Sequence, residues 1–251
     1  MQEHEILITR LFNDHLAGFG NWFLGLAGMQ AEPRPWANFV TMQLVVAAIF
    51  LVVFAALRPR LSVERPGKFQ HIFELIHDFI KGQTDEQVGH RGRKYIPFFG
   101  TIFLFVLFCN LIGIVPGFES PTMFHYVPAG IALAAFLYYN FVGIQSQGVG
   151  KYFAHFAGPD MGMGVVPRIL MGLLMVPIEI VSNLARPLSL TIRLFANMYA
   201  GEQVTLVFLS LTYLFIPAAF MGLHVFVSFL QAYIFALLTM VYVAGATAHD
   251  H

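Results

Sequence analysis

The stretch SLTIRLFANMYAGEQ, residues 189–203, places Arg193, Asn197 and Glu202 inside one of the most apolar regions of a 251-residue chain. An arginine in mid-span costs about 2.5–3.5 kcal/mol even on the lenient insertion scale, so something must offset it. A guanidinium stays charged at any working pH and binds carboxylates, so it is a permanent cation rather than a proton carrier. Glutamate and histidine do exchange protons, histidine near neutral pH and a carboxyl out of water at higher pH than usual. In the last apolar segment His224, Ser228 and Gln231 follow at i, i+4 and i+7, on one helix face.

The polar residues of the long region are ordered. At about 100° per residue, Glu179, Ser182, Arg186, Ser189 and Asn197 all fall within about 40° of Arg193. Asn183 lies beside Ser182. Glu202 points about 180° away from Arg193 and about 13.5 Å along the axis, so it cannot neutralise Arg193 on the same helix. Two separate polar environments follow. A hairpin turning near Thr212-Tyr213 sets His224 level with Glu202 and Gln231 level with Phe195; a turn at Pro217 slips this matching by about two helical turns. The first register pairs polar with polar and is preferred. Single buried Asn, Gln or Ser residues in membrane helices commonly serve as interhelical contacts, and Ser182, Ser189 and Ser228 are read that way. Arg186 suits an inner-surface, structural role as well as a functional one.

The elements that must hold these residues are helices in lipid. Hydrophobic residues make up 57% of the chain and charged residues only 11%, where a soluble domain averages about 25%; mean hydropathy is +0.69. A bilayer core needs about 20 mostly apolar residues per helix. Asn38–Leu57, Pro97–Val115 and Tyr126–Ile144 meet that need, and a long apolar region runs from residue 165 to 246. Fifty helical residues from Val165 to Phe215 extend about 75 Å against a core of about 30 Å. That region either breaks, with Pro167, Pro177 and Pro187 as candidate points, or lies steeply tilted. The expected fold is an all-α integral membrane protein, a single membrane domain over residues 1–251. It has an outer segment 1–37, a first span 38–57, a basic loop 58–96, a helical hairpin 97–144 and a long helix pair 165–246.

Residues 58–94 hold eight of the fourteen Lys and Arg, whereas the loop PGFESPTMFH, 116–125, holds none. The positive-inside tendency puts the first loop in the cytoplasm and the second outside, with the N-terminus outside and the C-terminus inside. Within the basic loop, Phe69, Ile72, Phe73, Ile76, Phe79 and Ile80 repeat at helical spacing, as in an amphipathic helix on the inner surface; His71 and His77 fit its solvated side. The segment before residue 38 fits an interfacial helix on the outer side. Zero formal net charge gives no reason to expect nucleic-acid binding, and the lone Cys109 excludes an intrachain disulfide framework or a cysteine-cluster metal site. No cofactor or metal is expected.

PLSLTIRLFANMYAGE, the upstream PIEIVSNLARP and the terminal HVFVSFLQAYIFALLTMVYVA closely resemble subunit a of the rotary F-type ATP synthase in its bacterial form, and NLIGIVPGFESPT resembles that family's link between the second and third spans. The resemblance runs from about Arg58 onward and is weakest over the first 35 residues. It implies two long tilted helices against a ring of c subunits, with peripheral-stalk b subunits and other synthase subunits as partners, in a bacterial inner membrane. It makes Arg193 the essential arginine that meets ring carboxylates. Asn197, Glu202, His224 and Gln231 match polar positions along an outer aqueous half-channel, and Glu179, with Ser182 and Asn183, a position near the inner one. Some relatives carry an aspartate in the second span; here FCNLIGIV offers Asn110 and Gly113, so Glu119 and His125 of the outer loop are candidates for the channel mouth. The implied function is proton conduction coupled to ring rotation, in a chain that is not itself an enzyme. A secondary ion transporter with an Arg/Glu/His relay is the rival, but no inverted repeat is visible and five spans do not divide evenly. A structural scaffold would tolerate neutral replacement of Arg193.

Overall fold

The computed structural model describes residues 5–26, 28–62, 67–115, 117–150, 152, 165–211 and 215–247. Among them the chain is helix and short 3-10 turns, with no strand. Helix α1 (Leu7–Leu26) comes first, and α3 (Lys68–Gln87) fills the basic loop. Five helices are long and apolar enough to cross a membrane: α2 (Asn38–Leu57), α4 (Ile96–Leu111, extended by flanking 3-10 turns), α5 (Tyr126–Gln147), α6 (Val165–Leu211) and α7 (Phe215–Thr247). The physical reason is general. Lipid offers backbone groups no partner, and a helix satisfies its own.

α6 is unbroken for 47 residues, through Pro177 and Pro187. That is about 70 Å, so of the two expectations only steep inclination fits it within a bilayer. Pro187 has no N–H to offer the carbonyl of Asn183 one turn earlier. The Tyr139 hydroxyl on α5 donates its one proton to the Asn183 side-chain oxygen and lies 3.4 Å from that carbonyl, bracing α6 at the turn that proline weakens. Removing it by Tyr139→Phe is expected to destabilise the bundle by about 1 kcal/mol, read as a lower midpoint in detergent denaturation.

α6 and α7 form the expected hairpin. The turn at Thr212-Tyr213 and the terminal His-Asp-His lie outside the described residues, but the flanking helices fix the register. Phe208 stacks on Phe220 with centroids 4.4 Å apart. A Cβ added to Gly201 would sit 3.0 Å from Nδ1 of His224. His224 is therefore level with the Gly201-Glu202 step, as polar matching required.

The core lies between α4, α5, α6 and α7, where Phe99, Phe103, Val106, Ala135, Leu194, Met198, Ala232, Ala236, Met240 and Val243 are buried. Small residues let these backbones approach. Gly143 is the clearest case: a Cβ there would lie 2.6 Å from the Tyr152 ring and 3.1 Å from Ala246. α3 is amphipathic as expected, but its apolar arc is too broad for the bundle to cover. Ile80 is buried and Phe73 and Ile76 are partly covered, whereas Phe69, Ile72 and Leu75 are exposed and left for lipid. Its end is tied to the start of α4 by Arg93, which donates to both Asp85 oxygens at 3.0 and 2.9 Å. That hydrogen-bonded guanidinium holds the Asp85 carboxyl below its ordinary range.

Candidate ion pathway

α6 sorts its residues by face. Leu190, Leu194 and Met198 pack inward and Asn183 joins them, while Ile178, Val181, Leu184, Leu188 and Ile192 are exposed. At about 100° per residue, Arg193 and Glu202 flank the inward stripe on opposite edges. The opposite placement expected of Arg193 and Glu202 is present, and the polar residues gather in two clusters, one of which holds Glu202 and neither of which holds Arg193.

The first gathers at the Glu119 end of the bundle. Asn110, the last polar residue of α4, is fully buried. Its Oδ1 accepts from the Thr122 hydroxyl at 2.7 Å, and its Nδ2 donates to the Ser228 carbonyl of α7 at 3.4 Å. Ser120 donates to the Cys109 carbonyl at 2.9 Å and shares a 2.8 Å bond with Thr122. Gly113 makes this fold-back possible, because a Cβ there would lie 2.9 Å from both the backbone N and Cβ of Ser120. The His224 ring lies near the Asn110 backbone. Glu202 is partly buried, within electrostatic reach of Glu119, and its Oε2 is buried with no hydrogen-bond partner. His125 packs on Tyr126, centroids 3.9 Å apart, and edges Phe195 of α6 at 6.2 Å. Glu119, Asn110, Glu202 and His224 therefore share one locality. The Ser228 hydroxyl, buried and unpartnered, lies one turn from His224 on the same face, and Gln231 is buried a further turn on. Asn197 is not part of this group; it is exposed on the Arg193 side of α6.

The second lies about 28 Å further down α6, by its rise per residue. The Asn140 Oδ1 on α5 accepts from the Tyr152 hydroxyl at 2.6 Å and from Asn183 Nδ2 at 3.3 Å. Asn183 Oδ1 accepts from Tyr139. One turn on, Arg186 meets Glu179 at 3.8 Å and lies over the Tyr242 ring at 5.2 Å. Ser182 is exposed beside them. Burial holds the Tyr152 hydroxyl proton on more tightly than usual. Reasoning from sequence did not single out Tyr139, Asn140, Tyr152, Ser120, Thr122 or Asn38. The run Tyr138-Tyr139-Asn140 in the middle of an apolar span was the available signal.

Arg193 stands between the two clusters, partly covered, and among the described residues no carboxylate pairs with it. The sequence profile of the family described as "ATP synthase A chain" matches residues 39–244. The chain belongs to that family. A relative in Solibacter usitatus, named ATP synthase subunit a, is 68% identical over 241 residues, covering 96% of this chain and all of its own. One of the same name in Koribacter versatilis is 42% identical over 250 residues, 99% of each chain. One in Helicobacter pylori is 39% identical over 215 residues, 85% of this chain and 92% of its own. Membership makes this chain a multi-pass membrane component of an ATP synthase that serves proton translocation. The family's matched stretch begins at Phe39, so α1 and the segment after it lie before it.

Proposed function

We propose that this chain is the proton-conducting stator of a bacterial ATP synthase, with two offset aqueous half-channels and Arg193 between them. The observation that carries the reading is an arginine inside a membrane helix with which, among the described residues, no carboxylate pairs. A charge so placed needs a visiting anion, and a ring of c subunits bearing one carboxylate each supplies a succession of them. A ring carboxylate in lipid is neutral because desolvation disfavours its charge. Beside a permanent guanidinium and water it ionises, and the same cation repels protons that would cross directly.

The Glu119 end opens to the outside in this reading, following the basic-loop asymmetry. Protons pass Glu119, Asn110, His125 and the Glu202/His224 pair, with Asn197 and Gln231 nearer the gate. They leave toward the cytoplasm past Glu179, Ser182 and Asn183. The driving energy is about 2.3 kcal/mol per charge per 100 mV. Apart from the O–H and N–H bonds of the travelling proton, no bond is made or broken in this chain, so it is not itself catalytic; the b subunits hold it against rotation while the ring turns.

Cysteines placed at the exposed Ser189 and Asn197 test the contact. In native membranes they are expected to crosslink to a small carboxylate-bearing ring subunit, with little background because Cys109 is buried. Crosslinks to every other subunit but that one would overturn the proposal.

A further inference from the structure

The segment ahead of α2 is folded onto the candidate proton path. Asn38, first residue of α2, is only 4% exposed. Its Oδ1 accepts from the Ile6 N–H at 3.3 Å, and its Nδ2 donates to Glu119 Oε2 at 3.2 Å. The amide orientation has one solution, because an N–H needs the oxygen and a carboxylate needs the nitrogen. Two more asparagines bridge the arms of this segment in the same two-ended way. Asn13 accepts from the Trp36 N–H at 2.9 Å and donates to the Trp36 carbonyl at 3.1 Å. Asn21 accepts from the Glu32 N–H at 2.9 Å and donates to the Glu32 carbonyl at 3.0 Å. Where α1 is broken at Leu16, the Trp36 indole donates to the Leu16 carbonyl at 2.9 Å. Gly20 admits the return strand, since a Cβ would sit 2.7 Å from Pro35 Cγ. The chain thus arrives at Asn38 in one geometry.

We propose that α1 is a working part of the outer mouth, and that Asn38 is the positioning residue through which it holds Glu119 toward Glu202 and His224. This rests on the reading of Glu119 as a proton-path group. The amide fixes one carboxylate oxygen, Oε2, and so sets the direction in which the carboxylate faces. It carries no charge of its own, so it orients Glu119 without competing for the proton.

The test is a double-mutant cycle in the intact synthase in membrane vesicles, with ATP-driven acidification normalised to assembled complex. Asn38→Leu is expected to slow pumping by up to about 10²-fold, the scale of a small misplacement of a reacting group, and Glu119→Gln by about 10²-fold or more, as loss of a proton-transfer group does. Asn38→Leu added to Glu119→Gln is expected to change nothing further. Asn13→Ala, which loosens the segment at a distance, should give a smaller loss that also vanishes in the Glu119→Gln background, and it carries the test if Asn38→Leu fails to assemble. Normal pumping by Glu119→Gln would remove Glu119 from the path and the proposal with it. A slow Glu119→Gln beside wild-type pumping in Asn38→Leu would overturn the positioning role alone. So would equal fractional losses from Asn38→Leu in both backgrounds, the mark of a merely structural residue.

Discussion

Arg193→Lys is expected to abolish coupled proton pumping, by at least about 10²-fold, the scale on which one fixed charge-stabilising group acts. The complex should still assemble, because among the described residues the side chain forms no ion pair. Lysine keeps a cation in water but is a flexible point charge that loses its proton readily when desolvated, and it cannot grip a carboxylate at two points. The gate would then be neutral for part of the time and badly shaped for the rest. Arg193→Gln should go further and let protons pass without turning the ring. ATP-driven acidification of inverted vesicles, with ATP hydrolysis followed in parallel, separates these outcomes. Retained acidification in the lysine variant would remove the gate from the mechanism.

Glu202→Gln is expected to cut passive proton flux through the membrane sector by about 10²-fold or more, as loss of a proton-transfer group commonly does. Glutamine keeps the shape, so insertion and helix packing should be unchanged. The side chain already stands apart from the ordinary rules of burial. One carboxylate oxygen is enclosed without a hydrogen bond, in reach of a second carboxylate and beside an imidazole at Gly201. Such a group is costly to keep unless it is used. Flux equal to wild type in Glu202→Gln vesicles with normal assembly would show that protons travel elsewhere.

Helical periodicity carried a good deal of this. The spacing of His224, Ser228 and Gln231 was enough to choose the hairpin register, because a slip by two turns would have parted His224 from Glu202. The opposite placement of Arg193 and Glu202 followed from their nine-residue separation. What periodicity cannot see is a bond between distant segments. Asn140 looks locally satisfied, with its Nδ2 donating to Phe136 one turn back at 2.7 Å, yet its oxygen joins Tyr152 and Asn183. Tyr139 braces α6 at Asn183, one turn ahead of Pro187 and far from it in sequence. Asn38 opens a span that reads as plain hydrophobic sequence, and its importance is visible only once Ile6 and Glu119 are beside it. Uncharged polar residues cost little in a helix, so their presence alone says little.

The uncovered side of α6 carries a different lesson. Ile178, Val181, Leu184, Leu188 and Ile192 are all aliphatic and all exposed, with no ring and no charge among them. Under the proposed reading this strip meets one identical partner after another, thousands of times over. A surface with that duty must be a bearing: interlocking knobs and holes would trap the rotor in whichever notch fitted best. Leucine, isoleucine and valine should therefore be exchangeable here at almost no loss, while a single tryptophan would act as a brake.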